Sequence, residues 1–83
     1  MCLALYKPAK ATLSEKDMRQ AFINNPDGAG FAYYDPAIRR VVIQKGYYTF
    51  NEFWKDFKII LDEHLECIVH FRWATHGEIN DSN

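Results

Sequence analysis

Short apolar runs alternate with two stretches of helical period along this chain. Residues Cys2 to Tyr6 (Cys-Leu-Ala-Leu-Tyr) read as a short buried strand that Lys7-Pro8-Ala9-Lys10 ends. Ser14 is placed as a helix N-cap, with Asp17 three residues on and Leu13 before it as a hydrophobic staple. Met18, Ala21 and Phe22 then fall on one helical face. Asn24-Asn25-Pro26-Asp27-Gly28 stops that helix, because proline restricts the residue before it and Asp-Gly favours a turn. Ala29 to Tyr34 reads as a second strand, Asp35 to Ile38 as a turn, and Arg40 to Lys45 as a third strand; the pair forms a hairpin, and Gly46 breaks the pattern. Thr49 with Glu52 makes a T-x-x-E capping box. Phe53, Phe57, Ile60, Leu61 and His64 follow at spacings of three and four, which predicts an amphipathic helix. Cys67 to Phe71 is a fourth strand, and Trp73 to Asn83 is polar and turn-like. The order strand, helix, hairpin, helix, strand is an α+β pattern in which both helices can cover one face of a sheet.

Composition narrows the class. Eighty-three residues make one small domain or part of a larger one, and 48% apolar residues with 16% aromatics exclude disorder. A net charge of −1 gives no electrostatic ground for a nucleic-acid or acidic-membrane partner. No apolar run approaches the ~18 to 20 residues that span a bilayer, and the first residues lack a secretory pattern. A cytoplasmic protein is the expectation, with Cys2 and Cys67 as free thiols. His64, His70 and His76 recur every six residues, a spacing that matches no zinc motif. No metal and no cofactor are expected.

The chemistry is concentrated at the two ends. Removal of Met1 exposes an α-amine beside the Cys2 thiol, and that amine can take the thiol proton and return it to a leaving group. A retained Met1 ties the amine into a peptide bond and removes the base. The competing reading of Cys2 is a small apolar residue on a buried strand. Far downstream, Arg72 follows the apolar Ile68 and Val69. Its guanidinium fork matches a carboxylate, and Thr75 can add a hydroxyl to the same anion; the competing reading is an ordinary surface ion pair. Asp27-Gly28-Ala29-Gly30 is a small-residue turn that can pack against the Cys2 strand and leave room for substrate, or simply open the hairpin. His70 reads as a hydrogen-bonded core histidine and His76 as part of a pocket rim. The aromatics Tyr33, Tyr34, Tyr47, Tyr48, Phe50, Phe53, Trp54 and Phe57 read as core and rim packing.

The segment Arg72-Trp73-Ala74-Thr75-His76-Gly77-Glu78 resembles the signature of class II glutamine amidotransferase domains, which are N-terminal-nucleophile hydrolases. Asn25-Pro26-Asp27-Gly28-Ala29-Gly30-Phe31-Ala32-Tyr33-Tyr34 resembles a second block of their small stand-alone members, with Ala29 where a tryptophan is common. Cys2 stands where that family has its nucleophile. The three matches occur in the family's order and span nearly the whole chain. The resemblance implies a four-layer α/β/β/α sandwich, of which residues 1–83 are the N-terminal portion. It also implies that Cys2 attacks a glutamine side-chain amide and releases ammonia. Arg72 would clamp the α-carboxylate, helped by Thr75 and His76, with Trp73 and Gly77 at the pocket and Asp27, Gly28 and Gly30 shaping it.

The family's pattern continues with an Asn-x-His-Pro motif, whose asparagine aligns with Asn83, an Asn-Gly oxyanion hole and an acidic residue for the substrate amine. None of these lies within the 83 residues beyond Asn83 itself. Losing one oxyanion donor costs about 100- to 1,000-fold in turnover. The expected partners are therefore glutamine or a related amide, and a companion chain or C-terminal segment that completes the fold. The chain alone is expected to be inactive. A catalytically silent binding or assembly protein on the same fold, and an unrelated α+β interaction module, remain as the alternatives.

Overall fold

The computed structural model describes residues 2–73. Six elements follow one another: β1 (Leu3–Lys7), α1 (Glu15–Asn24), β2 (Ala29–Asp35), β3 (Arg40–Tyr47), α2 (Phe50–Asp62) and β4 (Cys67–Phe71). The strands form one antiparallel sheet in the order β1-β4-β2-β3. The last strand thus lies between the first strand and the hairpin.

Both helices begin as their capping residues dictate. The Ser14 hydroxyl accepts from the Asp17 amide at 3.0 Å, and the Thr49 hydroxyl accepts from the Glu52 amide at 3.3 Å. Each bond satisfies an amide that has no partner within the helix. Helix α2 ends in a Schellman motif. The Leu65 amide donates to the Ile60 carbonyl and the His64 amide to the Leu61 carbonyl, while His64 takes a left-handed φ of 57°. This corrects the reading of His64 as a member of the helical apolar face: it lies past the helix end and is exposed.

The core fills the space between the helices and one sheet face. Phe53 and Phe57 of α2 stack on each other and pack edge-on against Phe31 of β2. Phe53 also meets Phe71 of β4, against which Phe22 of α1 packs in turn. Such edge-to-face contacts are the favoured geometry of the aromatic quadrupole. Val69, Cys67, Met18, Ala21, Ala29, Tyr47, Ile60 and Leu61 are buried with them.

Strand β1 differs from the expected buried strand in two ways. Its burial alternates, with Tyr6 exposed and Leu3 and Leu5 packed against the core. It also runs one residue further, to Lys7, which is 1% exposed. Lys7 pairs with Cys67 on the core face, and its ammonium donates to the carbonyls of Pro8 at 3.2 Å and Ala11 at 3.0 Å. The charge is tolerated inside because backbone oxygens replace its water. Strand β3 likewise runs through Gly46, which takes φ 86°, to Tyr47. A register shift between Ala29 and Gly30 accommodates the extra residue.

Candidate functional site

Among the described residues, no helix lies on the other face of the sheet. Cross-strand partners share a face, so the register assigns its strand positions: Ala4 and Tyr6 from β1, Ile68 and His70 from β4, Gly30, Ala32 and Tyr34 from β2, and Val41, Ile43 and Lys45 from β3. Tyr6, Ile68, Tyr34, Val41 and Ile43 are all exposed. Lys45 is the one formally charged residue among these positions, and it sits toward one end.

That end holds a cleft of about 200 Å³. Its floor is Gly28, Gly30 and Ala32. Ile68, His70 and Arg72 line one side, and Ile43, Lys45 and Tyr48 the other, and Asp27 also lines it. The cleft exists because β2 carries small residues between two strands of larger ones. Gly30 faces His70 on one neighbour and Lys45 on the other. A side chain cannot be added there, because a Cβ on Gly30 would lie 2.9 Å from the Gln44 carbonyl oxygen. Gly28 has φ 135°, which L residues rarely adopt, and lies beside the Tyr48 ring.

Arg72 follows β4 directly and is buried. Its backbone is fastened to the start of β2: the Arg72 amide donates to the Gly28 carbonyl and the Asp27 amide donates to the Arg72 carbonyl, both at 2.8 Å. The small-residue turn and the arginine, read from distant parts of the sequence, are therefore one unit. On the opposite side of β4 lies β1. The pairing ends at Leu3 with Phe71, so Cys2 and Arg72 flank that last pair at the same end of the two strands. Arg72 lines the cleft on the open face. Cys2 is exposed, which removes the reading of it as a core residue.

The candidate residues thus divide. Cys2, Arg72, Asp27, Gly28 and Gly30 gather at one end of one sheet. Trp73, half exposed, is not among the described residues that line the cleft. Thr75, His76 and Gly77 lie outside the described residues. His70 is a correction: it is half-buried on the open face and lines the cleft, rather than belonging to the core. Its alternation with Val69 and Phe71, both fully buried, carried that signal. Two of the aromatics lie outside the core, since Tyr34 and Tyr48 are exposed, and Tyr48 borders the cleft as a rim residue. Lys45 is not legible as a site residue in the sequence, because its place depends on the pairing of β2 with β3.

The second thiol behaves differently. Cys67 is buried, and that burial pushes its pKa up; Lys7 acts in the opposite direction and Glu66 in the same one. A thiol held protonated is a poor nucleophile. Cys2 is therefore the thiol available for chemistry. No protein-family model, no curated protein and no solved structure matches this chain.

Proposed function

We propose that this chain is the nucleophile-bearing portion of a class II glutamine amidotransferase-like domain of the N-terminal-nucleophile type. What supports the reading is the β1–β4 pairing, which ends at Leu3 with Phe71 and so brings the flanking Cys2 and Arg72 off the same end of adjacent strands. An unrelated α+β module has no reason to bring its second residue to an arginine seventy positions later.

After Met1 removal, the Cys2 amine takes the thiol proton, and the sulfur attacks the side-chain amide carbon of glutamine. The tetrahedral adduct collapses to a thioester as the C–N bond breaks, and the nitrogen leaves as ammonia with the proton returned by the amine. Water then cleaves the thioester to give glutamate and the free thiol. Arg72 holds the α-carboxylate through its guanidinium fork. Its buried setting and two backbone bonds hold it in place before substrate arrives, which lowers the entropy cost of binding. The four-layer sandwich belongs to this proposal too. A second sheet, from a companion chain or a C-terminal segment, would cover the exposed apolar face and supply the oxyanion hole.

The same apolar face favours a second reading, a catalytically silent assembly protein that uses it only for docking. One experiment separates them. A glutamine-mimicking diazo-ketone is incubated with the Met1-processed protein together with its completing segment, and adducts are mapped by intact mass and peptide sequencing. The proposal expects a single adduct at Cys2 that Cys2→Ser abolishes and Arg72→Ala slows by at least tenfold. Protein that retains Met1, or labelling that survives Cys2→Ser, sinks the enzyme reading.

A further inference from the structure

Two rows of residues cross the strands that form the cleft. One is Lys45, Gly30 and His70; the next, two residues along β2, is Ile43, Ala32 and Ile68. Both rows lie on the open face, and in each a small residue of β2 stands between two longer ones. The outer strands stand about 10 Å apart across β2, so the lane between their side chains is about one alkyl chain wide. Tyr34, exposed and next in line after Ala32 on the same face, ends the run of small residues. The lane is thus short as well as narrow, and β3, β2 and β4 form it by themselves.

The two rows differ in chemistry. The second is apolar throughout. At the first, the stem of Lys45 starts beside the floor, since a Cβ on Gly30 would lie 3.1 Å from the Lys45 Cβ. Lys45 is exposed, and among the described residues no acidic side chain pairs with it. Arg72 lies beyond, and Asp27 is the one acidic residue in the described lining. Two cations against one carboxylate, with His70 counted neutral, leave this end with an excess of one positive charge. That excess is complementary to a monoanion and repels a cationic head.

We propose that the lane binds a small monocarboxylic acid with an apolar body of about four to six carbons, its carboxylate at the Lys45 row and its tail between Ile43 and Ile68. The rows lie roughly 6.8 Å apart along β2, close to the extended length of a six-carbon acid, about 6 Å. Lys45 supplies a charge-assisted bond to the head, and the two isoleucines remove the tail from water. The inference makes no use of Cys2 and stands apart from the amidotransferase-like reading. Cys2 flanks β1, on the far side of β4 from the lane.

The test is a titration of the isotope-labelled full chain, followed by its amide resonances, with acetate, hexanoate, decanoate and the uncharged hexanamide. Hexanoate should bind roughly tenfold more tightly than acetate, because its added methylenes are partly buried. It should also bind about three- to fivefold more tightly than hexanamide. The shifts should centre on Gly30, Ala32 and Ile43. Lys45→Met should erase the preference for hexanoate over hexanamide, while Lys58→Met, on α2 across the sheet, should leave it intact. Ile43→Ser should bring hexanoate toward acetate. Lys45 and Ile43 are exposed strand positions, and the dispersion of the same spectra verifies that each variant is folded. Decanoate should gain little over hexanoate, because the lane ends at Tyr34. Affinity that climbs about fourfold with every methylene, with shifts spread to Tyr6 and Val41, means adsorption on the open apolar face and overturns the lane. Equal effects of Lys45→Met and Lys58→Met, equal binding of hexanoate and hexanamide, or no shift at Gly30 overturn it as well. Tighter binding of acetyl-alanyl-leucine than of hexanoate overturns the free acid in favour of a polypeptide C-terminus. None of these results touches the labelling of Cys2 by the diazo-ketone, so the two proposals fail separately.

Discussion

His64 holds a left-handed backbone without being glycine, a conformation that costs an L residue about 1–2 kcal/mol. Its amide closes the Schellman motif, and its carbonyl accepts from the Lys10 amide at 3.1 Å. Both contacts use backbone only, so a side chain is not required there. His64→Gly should therefore raise stability by roughly 0.5–1 kcal/mol, since relief of strain exceeds the entropy that glycine adds to the unfolded chain; urea unfolding midpoints measure the change. A second residue-scale effect depends on pH. Tyr47 is buried and donates to the Asp56 carboxylate at 2.6 Å. Burial first, then that bond and the nearby negative charge, push its ionisation well above the ordinary value of 10.0. The unfolded chain sheds this proton first. The stabilisation is complete below pH 10 and is lost as pH rises above it. Cys67 acts with the same sign from its own ordinary value of 9.0, and so does Tyr6 through its bond to Glu66. Melting temperatures recorded from pH 8 to 11 should fall at the alkaline end, and Tyr47→Phe should flatten that fall without removing it.

At the level of elements, what a single sequence makes legible is local. Helix starts at Ser14 and Thr49, the stop before Pro26 and the hairpin all follow from side chains acting on their own neighbours, and all of them are present. The misreadings occur where a distant element decides the outcome. Lys7 reads as the end of a strand because a lysine is rarely buried, yet the Pro8 and Ala11 carbonyls provide it with a polar pocket inside the core. Gly46 reads as a strand breaker, but the register shift of β2 against β3 uses its positive φ to carry the ladder on to Tyr47. His70 reads as core because its neighbours are apolar, and only the two-sided pairing of β4 shows which face it occupies. Lys7 also supports a prediction. Lys7→Ala removes both the bonds to the loop and the packing of the stem, and should cost about 3 kcal/mol. Lys7→Met keeps the stem and should cost about half of that. Equal losses in denaturant unfolding would mean that the aliphatic chain contributes nothing to β1.

For the molecule as a whole, the two sheet faces have opposite characters. One is sealed by α1 and α2; the other presents Tyr6, Tyr34, Val41, Ile43 and Ile68 to solvent. A contiguous apolar surface of this kind on a small domain marks a place where something docks. Val41→Lys with Ile43→Lys should leave the fold intact, because neither side chain reaches the helices, and should lower self-association measured by sedimentation velocity. The thiols offer an independent check on the two faces. At pH 8 one cysteine per chain should react rapidly with a disulfide reagent, and that reactivity should vanish with Cys2→Ser. Cys67 should react only on unfolding. Finally, among the described strands β1 pairs with β4 alone and lies at the sheet's edge. A nascent chain makes β1 before β4, and the two cannot pair until β4 has left the ribosome. During synthesis Cys2 therefore travels without Arg72, so any chemistry that needs both is withheld until β4 and the residue after it have been delivered.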